Sequence, residues 1–158
     1  MARPDIKTFQ NLEAAFAGES MAHIKYRYFA KLARAAGDED TARIFEQTAD
    51  QEVMHAFGHL DLLYPATDMT PAKALQIAIE GETYEYSEMY PGFRKTAVEE
   101  GNAAAVAEID EQISESREHA EQFKAVLDKA AKRFAALAKV EERHAQNYQR
   151  TLDKVQQA

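Results

Sequence analysis

Acidic and imidazole side chains occupy inward-facing positions of four predicted helices, where leucine or phenylalanine is typical. In each helix these positions follow alternating steps of three and four residues, the spacing of a face that packs in a helical core. A buried carboxylate without a partner costs several kcal/mol, and like charges in one place repel each other further. The core-facing positions at this level offer no Lys or Arg that could neutralise them. The residues concerned are Glu19, Glu52, His55, Glu82, Glu85, Glu141 and His144.

Two metal ions would balance this negative charge. Five carboxylates leave a net charge of −1 against two divalent ions and of +1 against two trivalent ions. A site that is near neutral in both states suits a redox-active metal pair. Carboxylate and imidazole ligands suit iron or manganese, and histidine also suits zinc. The alternative interpretation is a set of partly exposed charges or a buried polar network.

The spacing and the order of these residues sharpen the metal hypothesis. Glu52-x-x-His55 and Glu141-x-x-His144 each place a carboxylate and an imidazole one turn apart on one helix face. A single Glu stands on each of the other two helices. One such element per helix is the ligand arrangement of the ferritin-like proteins with a carboxylate-bridged metal pair. The two halves of the chain also resemble each other around these residues, which indicates a pair of helical hairpins.

Glycine and proline mark the ends of the four helices. Gly37 is typical of a helix C-cap, and Asp38 is typical of the N-cap of the next helix. Tyr64-Pro65 ends the second helix, and Pro91-Gly92 breaks or kinks the third. Residues 103–157 contain neither Gly nor Pro, which predicts one long fourth helix, with a hidden break as the alternative. The sequence therefore predicts an all-α, ferritin-like four-helix bundle with an extended fourth helix. Its helices span about residues 5–36, 39–63, 71–100 and 103–157 of a single domain, 1–158.

The composition is that of a globular chain and excludes several classes of function. Of the 158 residues, 46% are hydrophobic and 29% are charged, which excludes a disordered chain. The net charge of −8 argues against nucleic acid or an anionic membrane as a partner. No apolar run approaches the roughly 20 residues of a membrane span. The absence of Cys excludes disulfides and any iron–sulfur centre ligated by this chain. Because the first residues lack an apolar signal core, a cytoplasmic location is expected.

Several segments of the sequence resemble the rubrerythrin family. They are residues 16–20, Glu52-x-x-His55, residues 81–86 and 89–93, and Val140-Glu141-x-x-His144-Ala145. The resemblance covers nearly the whole chain apart from a segment after Gly101. It implies a ferritin-like bundle with a non-haem diiron centre, which holds two iron ions per chain as Fe2+ or Fe3+, with manganese or zinc as substitutes. It also implies an oxidoreductase that reduces hydrogen peroxide to water.

The resemblance also implies roles for individual residues. Glu85 is the family's additional carboxylate, expected to bind one metal in one oxidation state and to move away in the other. Tyr26 and Tyr90 are expected to hydrogen-bond ligand carboxylates, and with Glu85 they are the candidate catalytic residues. The alternative for both tyrosines is an ordinary place in the core. The implied metal ligands are Glu19, Glu52, His55, Glu82, Glu85, Glu141 and His144.

The lack of cysteine is the first departure from the family pattern. Typical members carry a rubredoxin iron centre that is bound by four Cys. Electrons must therefore come from an external donor, either a rubredoxin-type protein or a flavin reductase. In this respect the chain is similar to shorter members such as sulerythrin and symerythrin. Iron handling by ferrous oxidation and storage, a dioxygen-activating oxidase and a structural metal protein are the alternative functions.

The other departure from the family pattern is the long spacing between Gly101 and Glu141. Glu52 lies about four helical turns after Gly37, whereas Glu141 lies about eleven turns after Gly101. The excess of roughly 25 residues corresponds to about seven helical turns. A rival metal site lies inside this excess segment.

The rival site consists of Glu115, Glu118 and His119. Because Ser116 stands three residues before His119, the Glu-x-x-His element is incomplete there. We therefore interpret the two glutamates as part of a solvated face. We interpret His23 and His59, which lie on inward stripes, as hydrogen-bonded histidines of the core.

The excess segment also carries an apolar stripe. From Val106 to Glu141 the stripe keeps alternating three- and four-residue steps over about five heptads. A helix that continues through residues 103–133 overshoots the bundle, and its apolar stripe must be covered. We expect a homodimer in which the stripe packs on that of a second chain, including a form with exchanged helices. The alternative is a segment that folds back at a break near Lys129 to Lys132.

Overall fold

The computed structural model describes residues 6–156, and within this range it contains helices and no strand. The all-α class and the extended last helix that the sequence predicts are confirmed. The predicted helix ends at Asp5 and Gln157 lie outside the described residues. None of the helices in the described range is both long enough and apolar enough for a bilayer crossing. The helices are α1 (Lys7–Ala35), α2 (Glu39–Leu63), α3 (Pro71–Tyr84), a π-helical segment (Glu85–Met89), α4 (Tyr90–Glu99) and α5 (Ala103–Gln156).

The chain divides into two compact units. The first unit contains α1 and α2, and the second contains α3, the π-helical segment, α4 and α5. The single domain that the sequence suggests stays a prediction. Each unit is a helical hairpin, and each is described by itself below.

The turn of the first hairpin has the caps that the sequence predicts. Gly37 has a φ of +84°, a left-handed conformation that glycine adopts without steric cost. The Asp38 carboxylate accepts a hydrogen bond from the backbone N–H of Thr41 at 3.0 Å. This hydrogen bond lowers the pKa of Asp38. The cap therefore fixes where α2 begins, and with it the position of every residue that follows on that helix.

Small residues form the core of the first hairpin. Ala42, Ala49, Ala56 and Leu63 of α2 are buried and lie seven residues apart, the repeat of a helix that supercoils around its neighbour. Ala30 is their buried counterpart on α1. Among the described residues, no large side chain is fully buried. The two helices therefore approach each other closely, which brings side chains at the same level into contact range.

Arg34 joins the end of α1 to the first turns of α2. Its guanidinium donates hydrogen bonds to Glu39 at 3.0 Å and to Glu46 at 2.8 Å. These contacts hold the pKa values of both carboxyl groups below their usual range. A carboxyl whose pKa is lowered in the folded state stabilises the fold above its unfolded pKa, and loses that contribution as the pH falls through the folded value.

We expect Arg34→Gln to lower the Tm at pH 7, because the change removes both ion pairs. The decrease should be only a few degrees, since both pairs are solvent-exposed. At pH 2 the difference from the unchanged protein should be smaller, since the contribution of Glu39 and Glu46 is lost as the pH falls through their lowered folded-state pKa values. Thermal unfolding followed by circular dichroism at both pH values measures the effect. An equal difference at both pH values would contradict this account.

The second hairpin carries a π-helical segment where the sequence predicts a break. The segment ends at Met89, and the backbone N–H of Tyr90 bonds to the carbonyl of Glu85, five residues back. Pro91 has no N–H and would clash with a carbonyl in a regular α-helix. The wider π turn accommodates the proline, so the helix continues through Pro91 instead of ending there.

A turn at Gly101 and the contacts across it fix how α5 packs in the second hairpin. Gly101 has a φ of +71°, and Asn102 caps α5 by accepting a hydrogen bond from the N–H of Ala105 at 3.1 Å. Arg94 of α4 forms two hydrogen bonds with Asp110 of α5, at 2.5 and 3.1 Å. The first part of α5 therefore packs against α3, the π-helical segment and α4.

The second part of α5 has no such cover. The helix runs without interruption from Ala103 to Gln156, so the described chain does not fold back near Lys129 to Lys132. Ser116 and Ala120 are buried in its first part, whereas every residue from 131 to 156 is exposed except Val140, which is half-buried. Phe134 and Tyr148 are 72% and 75% exposed.

Candidate metal centre

The first hairpin brings three predicted ligands to one level. Glu19 precedes Gly37 and His55 follows it, each at a distance of about five helical turns along the chain. Residues at equal distance from the turn of an antiparallel helix pair lie side by side. Glu52 lies one helical turn from His55 on the same face of α2. We call these three residues the first ligand group.

The first ligand group converges in the way that a metal site requires. One ligand atom of each of its residues lies within 4.8 Å of the other two. The Nδ1 atom of His55 lies 3.0 Å from Oε2 of Glu52. A hydrogen bond between the two carboxyl groups raises the pKa of Glu19 and lowers the pKa of Glu52, which the His55 contact lowers further. Two carboxylates and one imidazole are ligands that suit iron or manganese, so this donor set fits a redox metal.

His23 has another role in the same hairpin. Its Nδ1 atom lies 2.9 Å from the carbonyl oxygen of Ala49, and Nε2 accepts a hydrogen bond from Arg27 at 3.3 Å. Arg27 in turn donates to Asp50 at 2.7 Å. Because both ring nitrogens are engaged, His23 joins α1 to α2 as a hydrogen-bonded histidine, as the sequence predicts.

The second hairpin repeats this geometry with one change. Ser116 and His119 lie as far after Gly101 as Glu52 and His55 lie after Gly37. Glu82 is one residue further from Gly101 than Glu19 is from Gly37. A π-helical turn is the usual place for one inserted residue, and the segment at Glu85–Met89 lies between Glu82 and the turn.

The contacts in the second hairpin agree with these distances from Gly101. The Nδ1 atom of His119 lies 3.5 Å from Oε1 of Glu82. The buried Ser116 hydroxyl donates a hydrogen bond to Oε2 of Glu85 at 3.0 Å. Burial and the charges of Glu85 and Glu82 raise the pKa of Tyr90, so its hydroxyl keeps its proton. We call Glu82, Glu85 and His119 the second ligand group.

The two predicted catalytic tyrosines have different surroundings. Tyr90 lies close enough to Glu85 and Glu82 for their charges to act on its hydroxyl, as expected for a partner of ligand carboxylates. The Tyr26 ring packs against Phe45, with ring centroids 5.8 Å apart. The described contacts of Tyr26 are thus those of a tyrosine between two helices, and its hydrogen bond to a ligand stays a prediction.

Glu141 and His144 are not brought to the second ligand group of their own chain. They lie roughly 25 residues beyond Ser116 and His119 on one unbroken helix, which is a distance of about 37 Å. The Nδ1 atom of His144 lies 3.7 Å from Oε2 of Glu141, and the two side chains are 54% and 75% exposed. This pair therefore presents a carboxylate and an imidazole together on an uncovered face.

Sequence reasoning missed the pairing of His119 with Glu82. The incomplete motif at Ser116 counts against His119, and the intact Glu141-x-x-His144 is the stronger pattern. The distance from Gly101 is the signal that finds His119, since it matches the first hairpin. Glu115 and Glu118 are exposed, in agreement with a solvated face.

The closeness of Glu19 and Glu52 leads to a prediction for the metal-free protein. Glu19→Gln removes one of two neighbouring carboxyl groups, so we expect the Tm to rise by a few degrees in the presence of a chelator. The same change removes a ligand, so the added stability that metal gives should be lost. Thermal unfolding with and without chelator measures both effects. Glu142→Gln, an exposed charge change on α5, is the control, and a lower Tm for metal-free Glu19→Gln would contradict the prediction.

The site places carboxylates and imidazoles on helical hairpins of an all-α protein, in an arrangement that fits metal ions. Comparison with known proteins identifies the family, because the rubrerythrin family model matches residues 10–127. The chain belongs to the rubrerythrin family, whose members are ferritin-like diiron proteins.

Two relatives and one solved structure are similar to this chain. Nigerythrin of Nitratidesulfovibrio vulgaris is 38% identical over 133 residues, which cover 77% of this chain and 66% of that protein. Rubrerythrin of Porphyromonas gingivalis is 35% identical over 132 residues, which cover 77% of this chain and 66% of that protein. The chain thus spans about two thirds of the length of these relatives. A solved structure of fully reduced nigerythrin is 36% identical, with a TM-score of 0.41, and covers 81% of this chain and 72% of that one.

The family match includes a segment that the motif resemblance leaves out. The motif alignment leaves the segment after Gly101 unmatched, whereas the family model includes that segment and ends at residue 127. Ser116 and His119 lie 25 residues, about seven turns, before Glu141 and His144, so the two pairs face the same side of α5. The part of α5 beyond the family match is therefore the C-terminal part, the same part that is exposed.

Proposed function

We propose that this chain is a diiron peroxidase, which reduces hydrogen peroxide to water with electrons from an external donor. The convergence of Glu19, Glu52 and His55 within 4.8 Å, in a member of the rubrerythrin family, carries this proposal. When bound, two ferrous ions supply the two electrons of the reaction, H2O2 + 2 H+ + 2 e− → 2 H2O. Manganese and zinc are substitutes that the same ligands accept, but zinc supplies no electrons.

We propose that the first and second ligand groups hold the metals. Glu19, Glu52 and His55 are the ligands from α1 and α2, and Glu82 and Glu85 come from the second hairpin. His119, which contacts Glu82, is the imidazole of the second group. Glu141 and His144 stay predicted ligands. Because they lie about seven helical turns beyond Ser116 and His119 on α5, they would bind a metal that is separate from the second ligand group of their own chain.

The chain's own residues supply protons and positions. Tyr90 keeps its proton because its pKa is raised, so its hydroxyl donates a hydrogen bond to Glu85 or Glu82. Ser116 gives Glu85 a hydrogen-bonding partner at 3.0 Å, which would hold this carboxylate at α5 when it does not bind a metal. Tyr26 is the corresponding hydrogen-bond donor of the first hairpin. Glu85, Tyr26 and Tyr90 are therefore the proposed catalytic residues.

We propose an external electron donor as the partner of this reaction. The chain has no Cys and cannot hold a rubredoxin iron itself, so a rubredoxin-type protein or a flavin reductase supplies the electrons. The protein works as a homodimer in the cytoplasm, and exchanged helices are one form that the dimer takes.

Metal analysis and peroxide consumption test the proposal together. The purified protein should contain two iron ions per chain, and Glu52→Ala should lose at least the iron that the first ligand group holds. After anaerobic reduction, the unchanged protein should consume one peroxide per metal pair, whereas Glu52→Ala should consume almost none. One metal per chain, or equal consumption by both proteins, would contradict the proposed function.

A further inference from the structure

The first ligand group depends on the register of the first hairpin, which is the position of α1 along its axis relative to α2. Glu19 lies on α1, whereas Glu52 and His55 lie on α2, and their ligand atoms lie within 4.8 Å of one another. A slide by one residue moves a side chain about 1.5 Å along the helix axis. Because a metal site tolerates ligand displacements of only about 0.5 Å, the register decides whether these three residues hold a metal.

The apolar core of this hairpin fixes the register only weakly. Ala42, Ala49 and Ala56 line the buried face of α2, and Ala30 is buried on α1. Side chains this short let the helices approach closely, but they interlock little, so a small slide disturbs few contacts. The turn fixes the register at one end of the hairpin, whereas the ligand group lies about five helical turns away. A further contact is therefore needed near the ligand group.

His23 makes such a contact beside the ligand group. It is half-buried and lies one helical turn after Glu19 on α1. Its Nδ1 atom lies 2.9 Å from the carbonyl oxygen of Ala49, which stands three residues before Glu52 on α2. Because Nε2 accepts a hydrogen bond from Arg27 at 3.3 Å, the proton of the neutral ring is on Nδ1, which donates it to the Ala49 carbonyl.

Arg27 joins the same two helices at the next residue of α2. Its guanidinium donates a hydrogen bond to the Asp50 carboxylate at 2.7 Å, and Asp50 directly follows Ala49. Arg27 thus holds the His23 ring from one side and contacts α2 from the other. A polar contact inside an otherwise apolar helix interface is a usual means of specifying register, since the contact is satisfied in one register only.

We propose that His23, held by Arg27, is a positioning residue that sets the register of α1 against α2 and so brings Glu19 to Glu52 and His55. Both nitrogens of its ring are engaged, so the ring aligns the helices that carry the ligands and does not itself bind the metal. This inference rests on the proposed role of the first ligand group as a metal site.

The contact specifies the register and contributes little to stability. The Ala49 carbonyl lies within α2, where it also accepts the helical hydrogen bond from the N–H of Val53. Arg27 keeps its contact with Asp50 when the His23 ring is absent. Replacement of His23 by an apolar residue therefore leaves no polar group without a partner, while it removes the contact that selects one register.

Co2+ titration of the metal-free full chain tests the proposal, because the visible absorption of bound Co2+ reports affinity and geometry. The part of the absorption that Glu52→Ala loses belongs to the first ligand group. We expect His23→Leu to weaken Co2+ binding there roughly 10–100-fold, the usual effect of losing a group that orients ligands. Lys25→Leu, an exposed change on the same helix, is the matched control and should bind Co2+ like the unchanged protein. Equal affinity of His23→Leu and Lys25→Leu would overturn the proposal.

The same titration distinguishes failure of this inference from failure of the proposed function. Glu52-dependent absorption in the unchanged protein, with the same affinity in His23→Leu, would overturn the positioning role alone. The absence of any Glu52-dependent absorption in the unchanged protein would overturn the first ligand group, and the positioning role with it.

The His23→Asn variant separates positioning from packing. The side-chain nitrogen of Asn is attached at the same carbon position as Nδ1 of His, so it can donate to the Ala49 carbonyl, and it should restore most of the Co2+ affinity. The metal-free Tm of His23→Leu should equal or exceed that of Lys25→Leu. A metal-free Tm that falls together with the Co2+ affinity, or no recovery in His23→Asn, would show that His23 only supports packing and would overturn the proposal.

Spin labels on engineered cysteines measure the register itself, because the chain has no Cys of its own. Ala14→Cys and Asp61→Cys place one label on each helix, at exposed positions on the far side of the ligand group from the turn. Double electron–electron resonance of the metal-free protein should give one narrow distribution of distances. The distribution should broaden with His23→Leu and stay narrow with Lys25→Leu. An equally narrow distribution in both variants would overturn the proposal.

Discussion

Removal of the bound metals with a chelator is expected to lower the Tm by about 10–20 °C. Two sites, each at a free metal concentration of about 100 times its Kd, contribute roughly 5 kcal/mol to the free energy of unfolding. For a chain of this length, each kcal/mol corresponds to about 2–4 °C. Without metal, the Glu19 and Glu52 carboxyl groups remain close together, so part of the lost stability is mutual repulsion. Differential scanning calorimetry of the loaded and the chelator-treated protein measures the difference.

The Glu52→Ala variant provides the control for this experiment. It lacks a ligand of the first group, so chelator should change its Tm much less than that of the unchanged protein. Glu142→Ala, which changes an exposed charge on α5, should respond to chelator as the unchanged protein does. A Tm that is the same with and without chelator in the unchanged protein would contradict the metal assignment.

The reduced protein is expected to consume one peroxide per metal pair and then to stop. Each turnover needs two electrons, and the chain has no Cys with which to bind an iron centre that could replace them. Addition of a rubredoxin-type donor with its reductase, or of a flavin reductase, should restore consumption to at least ten turnovers. Peroxide measured over time under anaerobic conditions gives the number of turnovers.

Two controls separate this prediction from background reactions. Donor and reductase without the protein should consume little peroxide, and the Glu52→Ala variant should not respond to the donor. Sustained turnover with NADH alone, and without any second protein, would show that the external donor is unnecessary.

The first hairpin was predictable because its signals are local. Gly37 and Asp38 fix the turn and the start of α2, and the helical repeat then places Glu52 and His55 opposite Glu19. No residue far away in the sequence has to be known for this. The same reasoning predicts the unbroken α5, since no Gly or Pro interrupts residues 103–156.

The second hairpin was less predictable because two signals compete there. An intact Glu141-x-x-His144 outweighs the incomplete motif at Ser116, although only His119 lies at the distance from the turn that brings it to Glu82. A motif identifies residue types, whereas the distance from the turn indicates which residues of the two helices lie side by side.

At Pro91 the sequence predicted less than the structure shows. A proline inside a helical pattern predicts a break or a kink, and the sequence alone does not reveal a π-helical turn that absorbs it. The inserted residue was nevertheless visible as the one-residue difference between the two hairpins. Glu85 lies at the start of this segment, so the insertion and the additional carboxylate occur together.

Anaerobic stopped-flow spectroscopy of the fully reduced protein tests the central claim most directly. The reduced protein is mixed with peroxide in one experiment and with dioxygen in another, and the visible band of the diferric site is followed. Our account predicts oxidation by one equivalent of peroxide at least tenfold faster than by dioxygen at equal concentration. Oxidation by dioxygen that is as fast as, or faster than, oxidation by peroxide would contradict it and would indicate a dioxygen-activating or iron-handling protein instead.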